Sequence, residues 1–493
     1  MSRTMAGFDS VSNEVGKFSL ASKTVLVPEM SRSGSRLLVA TLRGFGVDAQ
    51  LMDTYEGLHF GKRFTSGKEC FPCQVTLGDV IHRLESEKER LGDSFRAENY
   101  LYCMAEAEGP CRFGMYTRLH RIVLDSLDTF SKVGIASVTS ADSYSIGGAL
   151  HRRLHSRLRK MAFVAIAIGD VLDRMLWRTR PYEREQGQAD AHYEHALTTM
   201  SSVIEAHGWN KGFSRILKEL EQIARQAVDI VDPAVAPKPL IGIVGEIYLR
   251  SHTASNQNLI RLLESHGAEV VSASLAEWLN YVPYRLAQKA RRNAVYALGR
   301  RDFGSLYRQL RIWLNHRTEL AYQYLRLDQV YRRVTRHLSI HEDHRMGSVE
   351  RQLNDDRLFS FRLGTEAPLS IGGALECGLA GFDGIVNVFP FGCMPSTLSS
   401  AILRPLLEQL QIPYVDSVYD GTVQPNREAA IRTFMYQATE HQEARLAQRE
   451  SGRAPRHDVQ AHPDRETVRQ QSWGDPGAAC ARAGGQQNRR QWK

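Results

Sequence analysis

Short apolar runs alternate with helix-period runs along most of this chain, and that alternation limits the fold more than any other feature. Residues 24–27, 47–52, 100–104 and 133–138 are strand-length and apolar. Helical patterns separate them at 33–42, 75–84 and 114–127. Strands alternating with helices predict a parallel, doubly wound sheet. The pattern restarts after Asp232-Pro233-Ala234-Val235-Ala236-Pro237-Lys238-Pro239, a linker with three prolines. Strands are then expected at 240–244, 269–273, 385–389 and 413–418, with helices at 257–265, where Ser255-Asn256 can cap, and at 398–410 and 426–438.

The predicted fold class is α/β, with two parallel-sheet domains, helical segments between and inserted, and a disordered C-terminal tail. A flexible lead-in occupies 1–22, the first α/β domain 23–144, a helical segment 145–231 and the linker 232–239. The second α/β domain spans 240–440, interrupted by a helical insertion at 275–350. The hexapeptide Ser-Ile-Gly-Gly-Ala-Leu occurs at 145–150 and again at 370–375, a hint that the two domains are built alike. From 444 onward apolar residues give way to Arg, Gln, Gly and Pro, and such a segment buries too little surface to offset its ordering entropy.

Charge narrows the function classes. Residues 444–493 hold ten Lys or Arg against five Asp or Glu, a surplus of five, which leaves three of the chain's net +8 to the rest. A body so nearly balanced does not point to nucleic acid. The N-terminus shows no signal-peptide core, and the longest apolar run, 161–168, is stopped by Gly169-Asp170, too short for a bilayer. A cytoplasmic protein is expected. In a reducing compartment its seven cysteines read as ligands and core residues rather than disulfides.

Two of those cysteines form Cys70-Phe71-Pro72-Cys73, at the mouth of the helix at 75–84. Backbone N–H groups there favour thiolates, and thiolates three positions apart can grip a metal centre or close a redox disulfide. Two sulfurs do not fill a tetrahedral site. Cys111, in Glu108-Gly109-Pro110-Cys111, and Cys393, in Pro390-Phe391-Gly392-Cys393, each sit in a Gly/Pro turn after a strand-like run. Cysteines at the carboxyl ends of strands converge readily on one crevice. The set Cys70, Cys73, Cys111 and Cys393 therefore reads as ligation of an iron–sulfur cluster from both halves. Ordinary buried thiols, a thioredoxin-like pair and zinc are the alternatives. Two further Gly/Pro-flanked cysteines argue against the redox pair, and the wide scatter of ligands argues against structural zinc. Four cysteines would saturate a [4Fe–4S] cubane and leave an electron carrier. If Cys73 stays off, one iron keeps an open position for an oxygen ligand.

Other features read as structure. Cys103 and Cys377 sit among apolar residues and read as core, although their ligation would permit a larger or double cluster. Cys480 falls in the tail. Arg152, Arg153, Arg157, Arg159 and Lys160 read as a solvated helix face before an anion site. His341-Glu342-Asp343-His344 lacks zinc-protease spacing and reads as solvated surface. Gly242-Ile243-Val244-Gly245 lacks the third glycine of a dinucleotide fingerprint, and there is no Walker-type phosphate loop.

Several segments together resemble a known family. Gly67-Lys68-Glu69-Cys70-Phe71-Pro72-Cys73-Gln74, Glu108-Gly109-Pro110-Cys111-Arg112-Phe113-Gly114, Val244-Gly245-Glu246-Ile247-Tyr248, Asn387-Val388-Phe389-Pro390-Phe391-Gly392-Cys393-Met394-Pro395 and Tyr419-Asp420-Gly421 are similar to motifs of the 2-hydroxyacyl-CoA dehydratase superfamily, nearest its activase-related branch. The likeness covers about 24–440. It implies two Rossmann-like domains and a helical domain, with a cluster held between them. It also implies a low-potential electron delivered by an ATP-driven activator that carries its own cluster. In the dehydratases that electron reduces a 2-hydroxyacyl-CoA thioester to a ketyl radical, which expels the hydroxyl group; related double-cubane proteins reduce small molecules. By motif, Cys70, Cys111 and Cys393 are carried over as ligands, with Cys73 next. The chain lacks an activator domain, so a separate activator is the expected partner, an acyl-CoA the candidate substrate, and a homo- or heterodimer is allowed. The rival expectation is a non-catalytic scaffold or interaction protein whose zinc joins the domains.

Overall fold

The computed structural model describes residues 15, 16, 20, 22–144, 152–210, 212–355 and 357–450. The first half runs β1 (Val15–Gly16), β2 (Thr24–Val27), α1 (Arg32–Gly44), β3 (Ala49–Leu51), α2 (Leu58–Arg63), α3 (Phe71–Leu91), β4 (Tyr100–Glu106), α4 (Tyr116–Asp125) and β5 (Gly134–Thr139). Three helices follow, α5 (Arg152–Thr179), α6 (Gln188–His207) and α7 (Phe213–Val228). The second half opens with β6 (Leu240–Gly245), α8 (Ile247–Ser251), α9 (Leu259–Ser265) and β7 (Glu269–Ser272). It continues through α10 (Leu275–Gly299), α11 (Phe303–Thr335), α12 (Met346–Asp355), α13 (Ala367–Leu379), β8 (Gly384–Pro390), α14 (Met394–Gln409), β9 (Tyr414–Tyr419) and α15 (Arg427–Glu450).

Among the described residues, every pairing between these strands is parallel. The first sheet has the order β1-β5-β4-β2-β3 and the second β7-β6-β8-β9. β2, β3, β4 and β5 are thus arranged as β6, β7, β8 and β9 are: the first strand of each set lies between the second and third, and the fourth lies outside the third. The α/β class with two doubly wound sheets is what the alternating pattern dictated. The likeness between the halves lies in this strand order and not in the repeated hexapeptide. Its second copy falls inside α13, before the third strand of its set, while its first follows β5 and lies outside the described residues.

Helices cover both faces of each sheet. One core joins β2 and α1 to α5, α6 and α7, and a second joins β8 to α10, α12, α13 and α14. On the other faces, α3 and α4 close the first sheet, and α9 and α15 close the second. Helix α3 belongs to both halves. Cys70, Cys73, Leu77, Val80, Ile81 and Leu84 pack with the first sheet, while Phe71 and Val75 pack with β6 and β8. A helix gripped from two sides buries all of its first eleven residues, so its N-terminus is fixed in space.

Four expectations need correction. The lead-in includes β1, which pairs with β5 through Val15 and Ile135, while most of 1–22 lies outside the described residues. The insertion extends beyond 350, because α12 runs to Asp355. The break expected at 444 falls inside α15, which continues to Glu450; residues 451–493, with Cys480, lie outside the described residues. The helix placed at 257–265 starts two residues later, at Leu259, since Gln257 and Asn258 take positive φ.

Candidate functional site

Five residues whose side chains act on one another electrostatically begin helical segments. Cys70, Glu366 and Cys393 are the N-caps of α3, α13 and α14, and each is followed two positions on by proline: Pro72, Pro368 and Pro395. Proline is tolerated there because the first N–H groups of a helix have no intrahelical partner. Cys111 caps the short 3₁₀ turn Arg112–Met115, and Glu246 caps α8. Cys111 follows β4, Glu246 follows β6 and Cys393 follows β8, at the carboxyl ends of parallel strands where open α/β sheets bind their ligands.

The turns carrying the cysteines are physically joined. Arg112 donates from Nη1 to the Lys68 carbonyl at 2.6 Å and from Nη2 to the Gly392 carbonyl at 2.9 Å. Gly109, at φ +112°, lies so close to Gly364 that an added Cβ would stand 2.7 Å from the Gly364 carbonyl oxygen. The turn of Cys111 therefore rests directly on the turn that leads into Glu366.

Each of three sulfurs has a hydrogen-bonding neighbour. The Tyr116 hydroxyl bonds Cys70, the Phe113 backbone N–H bonds Cys111, and Ser396 meets Cys393 through its backbone and its hydroxyl, the latter at 3.4 Å. Burial pushes the thiols of Cys70 and Cys393 up to about 12. It raises Cys111 as well, with Glu366 adding. The helix N-termini that were expected to favour thiolate do not overcome this desolvation. Bare, these residues are thiols; a bound cation is what would bring out the thiolates.

Two buried carboxyls, Glu246 and Glu366, act on these sulfurs. Both oxygens of Glu246 accept backbone N–H bonds, from Tyr248 at 3.0 Å and Leu249 at 2.9 Å. Glu366 takes a bond from the Ile247 backbone, but its Oε2 is buried with no partner. Burial raises both carboxyls, and Glu246 raises Glu366 further. Glu366 acts in turn on Cys70, Cys111 and Cys393. On α10, next to Arg285, the hydroxyl of fully buried Tyr281 also lacks a partner and senses Glu366.

Cys73 is placed differently. Its Sγ lies 3.6 Å from His120 Nε2 inside the core of the first sheet. Burial raises this thiol, with Cys70 and then Glu69 adding. His120 is kept neutral by burial, its pKa lowered to about 4. The structure thus gathers Cys70, Cys111 and Cys393 around Glu246 and Glu366, and turns Cys73 toward a histidine.

All six described cysteines are free. Among the described residues, no three His, Cys, Asp or Glu side chains are grouped tightly enough for a single metal ion. A cubane spreads its ligands over four irons, so its donors stand farther apart than donors to one ion. Soft sulfur donors with an orphaned carboxylate oxygen suit such a group chemically. Cys103 stands apart on β4, packed against the core around α5, with burial alone raising its thiol to about 11. Cys377 lies on α13 near Glu277 and Arg174.

The remaining charged motifs are tied internally. Arg157 donates to the Trp209 carbonyl, Arg159 pairs with Glu319 at 2.8 Å, and Lys160 lies over the Tyr322 ring. The side chains of Arg152 and Arg153 lie outside the described residues. The 341–344 stretch is only in part the solvated surface expected: Glu342 is exposed, but Asp343 is not. Asp343 is buried against Arg174 at 2.6 Å, and the His341 ring meets Phe382. A buried guanidinium needs a counter-charge, and Asp343 supplies it.

Compared with known proteins, the chain matches no family model and no curated protein. No helix among the described residues is long and apolar enough to cross a membrane.

Proposed function

We propose that this protein is an iron–sulfur redox component. Cys70, Cys111 and Cys393 hold the cluster between the two halves, and low-potential electrons arrive from a separate ATP-dependent activator. The reaction class is reductive dehydration of a 2-hydroxyacyl-CoA or a related difficult reduction. The observation that carries this reading is the meeting of three cysteine turns from distant parts of the sequence around one buried pair of carboxyls. Arg112 bonds all three turns together.

The chain's own residues have definable tasks. When bound, a [4Fe–4S] group supplies one-electron transfer at low potential. Tyr116, the Phe113 N–H and Ser396 direct hydrogen bonds at the ligand sulfurs, which fixes their orientation and tunes their basicity. Phe71, Tyr116 and Tyr281 exclude water around them. A cleft of about 400 Å³ opens beside the Cys70 turn, lined among others by Glu69, Gln74, Phe391 and Asp420, and has room for a small molecule. Phe391 and Met394, next to Cys393, are 70% and 47% exposed and form an apolar rim for an electron-donating protein.

Anaerobic purification with iron, zinc and acid-labile sulfide assays tests the reading. Iron and sulfide in similar amounts are expected. Stoichiometric zinc without sulfide would replace this reading with a scaffold joined by a structural metal.

A further inference from the structure

The equivalence of the two sheets makes a sharper statement about the ligand set. In the first half, α3 precedes β4, the third strand of its set, and Cys70 caps that helix; Cys111 lies in the turn after β4. In the second half, α13 precedes β8, again the third strand, and Glu366 caps that helix; Cys393 lies in the turn after β8. Cys111 and Cys393 are therefore counterparts, and so are Cys70 and Glu366. The local sequences agree: Cys70-Phe71-Pro72-Cys73 stands where the other half has Glu366-Ala367-Pro368-Leu369. The counterpart of Cys73 is Leu369, a buried apolar residue.

We infer that Glu366, not Cys73, is the fourth protein ligand, so that each half contributes one helix-cap donor and one donor from the turn after its third strand. This rests on the iron–sulfur reading above and deepens it. Glu366 is only 7% exposed, yet its Oε2 has no hydrogen-bond partner. Burying a carboxylate oxygen without a partner costs its full desolvation, which is why native proteins rarely leave one so. The oxygen belongs to a group whose charge acts on all three sulfurs of the set. Glu246 is already held by backbone N–H groups at both of its oxygens, whereas Glu366 has one oxygen with no partner. Cys73 is held toward His120.

The substitution of oxygen for sulfur has a chemical consequence. A carboxylate is a harder donor than a thiolate and binds iron less firmly beside soft sulfurs. With a cluster bound, Glu366 would be the weakest of its protein donors. The Tyr281 hydroxyl on α10 is also buried without a partner and senses the charge of the same carboxyl.

The test uses the full chain, purified without oxygen, in three variants whose folding is checked by circular dichroism. Glu366→Gln keeps shape but removes the anionic donor. It should lose about one iron in four and give the electron paramagnetic resonance signal of a three-iron cluster in the oxidised protein. Cys73→Ser should keep its iron and its spectrum. Glu366→Cys should hold full iron at a lower midpoint potential, as thiolate replaces a weaker donor. Full iron and an unchanged spectrum in Glu366→Gln, with iron lost from Cys73→Ser, would overturn the inference and leave the iron–sulfur reading standing. If Glu366→Gln does not fold, an unshifted potential in Glu366→Cys would overturn it equally. An unmutated protein without iron and sulfide would overturn both.

Discussion

The Nη2 of Arg112 donates to the carbonyl of Gly392 across 280 positions of sequence, while its Nη1 holds the carbonyl of Lys68. One planar guanidinium thereby fixes the spacing of the turns that carry Cys70, Cys111 and Cys393. Lysine offers a single point charge and cannot reproduce the fork. Arg112→Lys is expected to lower stability by about 1–2 kcal/mol, the net worth of charged hydrogen bonds at a half-exposed site. Iron release to a chelator should quicken as well. Urea denaturation and chelation rates measure the two effects.

Ligand choice separates cysteines that look alike in composition. Cys111→Ala is expected to strip most of the iron. Cys103→Ala, on β4 and packed against the core around α5, should leave the metal content unchanged. Iron per chain after anaerobic purification decides, and equal loss from both variants would break the assignment.

Close approach between the halves gives a backbone test. At Gly109, φ is +112° and a Cβ would meet the Gly364 carbonyl oxygen at 2.7 Å, whereas Gly67, at φ +83°, faces open space. Gly109→Ala should cost about 1–3 kcal/mol from strain and should also displace the Cys111 turn. Gly67→Ala should cost less, because only the conformational penalty applies. Denaturant midpoints of both variants, with their iron content, provide the comparison.

Asp79, on α3, predicts a pH dependence. Its carboxylate accepts from Thr54 Oγ1 at 2.7 Å and from the Tyr55 N–H at 2.8 Å, and Thr54 also meets His252 Nε2 at 2.9 Å. Burial nevertheless raises its pKa from 3.8 to about 7. The folded chain then binds more protons at this site than the unfolded chain, so its contribution to stability falls as pH rises from about 4 to about 7. Asp79→Asn stays neutral throughout. The variant's stability relative to the unmutated protein should rise across that interval and level off above it, as measured by urea denaturation at a series of pH values.

Much of this arrangement is legible in the residues, and the part that is not has a physical reason. Strand-length apolar runs and prolines marked the sheets and the mouth of α3 correctly, since burial and turn chemistry act locally. Cys70, Cys111 and Cys393 stand out because cysteine flanked by Gly and Pro is uncommon. Glu366 does not: a single glutamate carries no spacing, and its meaning comes only from the topology that makes it the counterpart of Cys70. The one local signal was Pro368, placed after Glu366 as Pro72 is after Cys70. Asp343 was misread for a similar reason, because its partner Arg174 lies 169 residues away.

Diffraction from anaerobically grown crystals, with data collected on either side of the iron absorption edge, tests the central claim most directly. An anomalous iron peak enclosed by Cys70, Cys111, Cys393 and Glu366 is the predicted result. A pocket with no iron peak, or with a peak at the zinc edge instead, would contradict it.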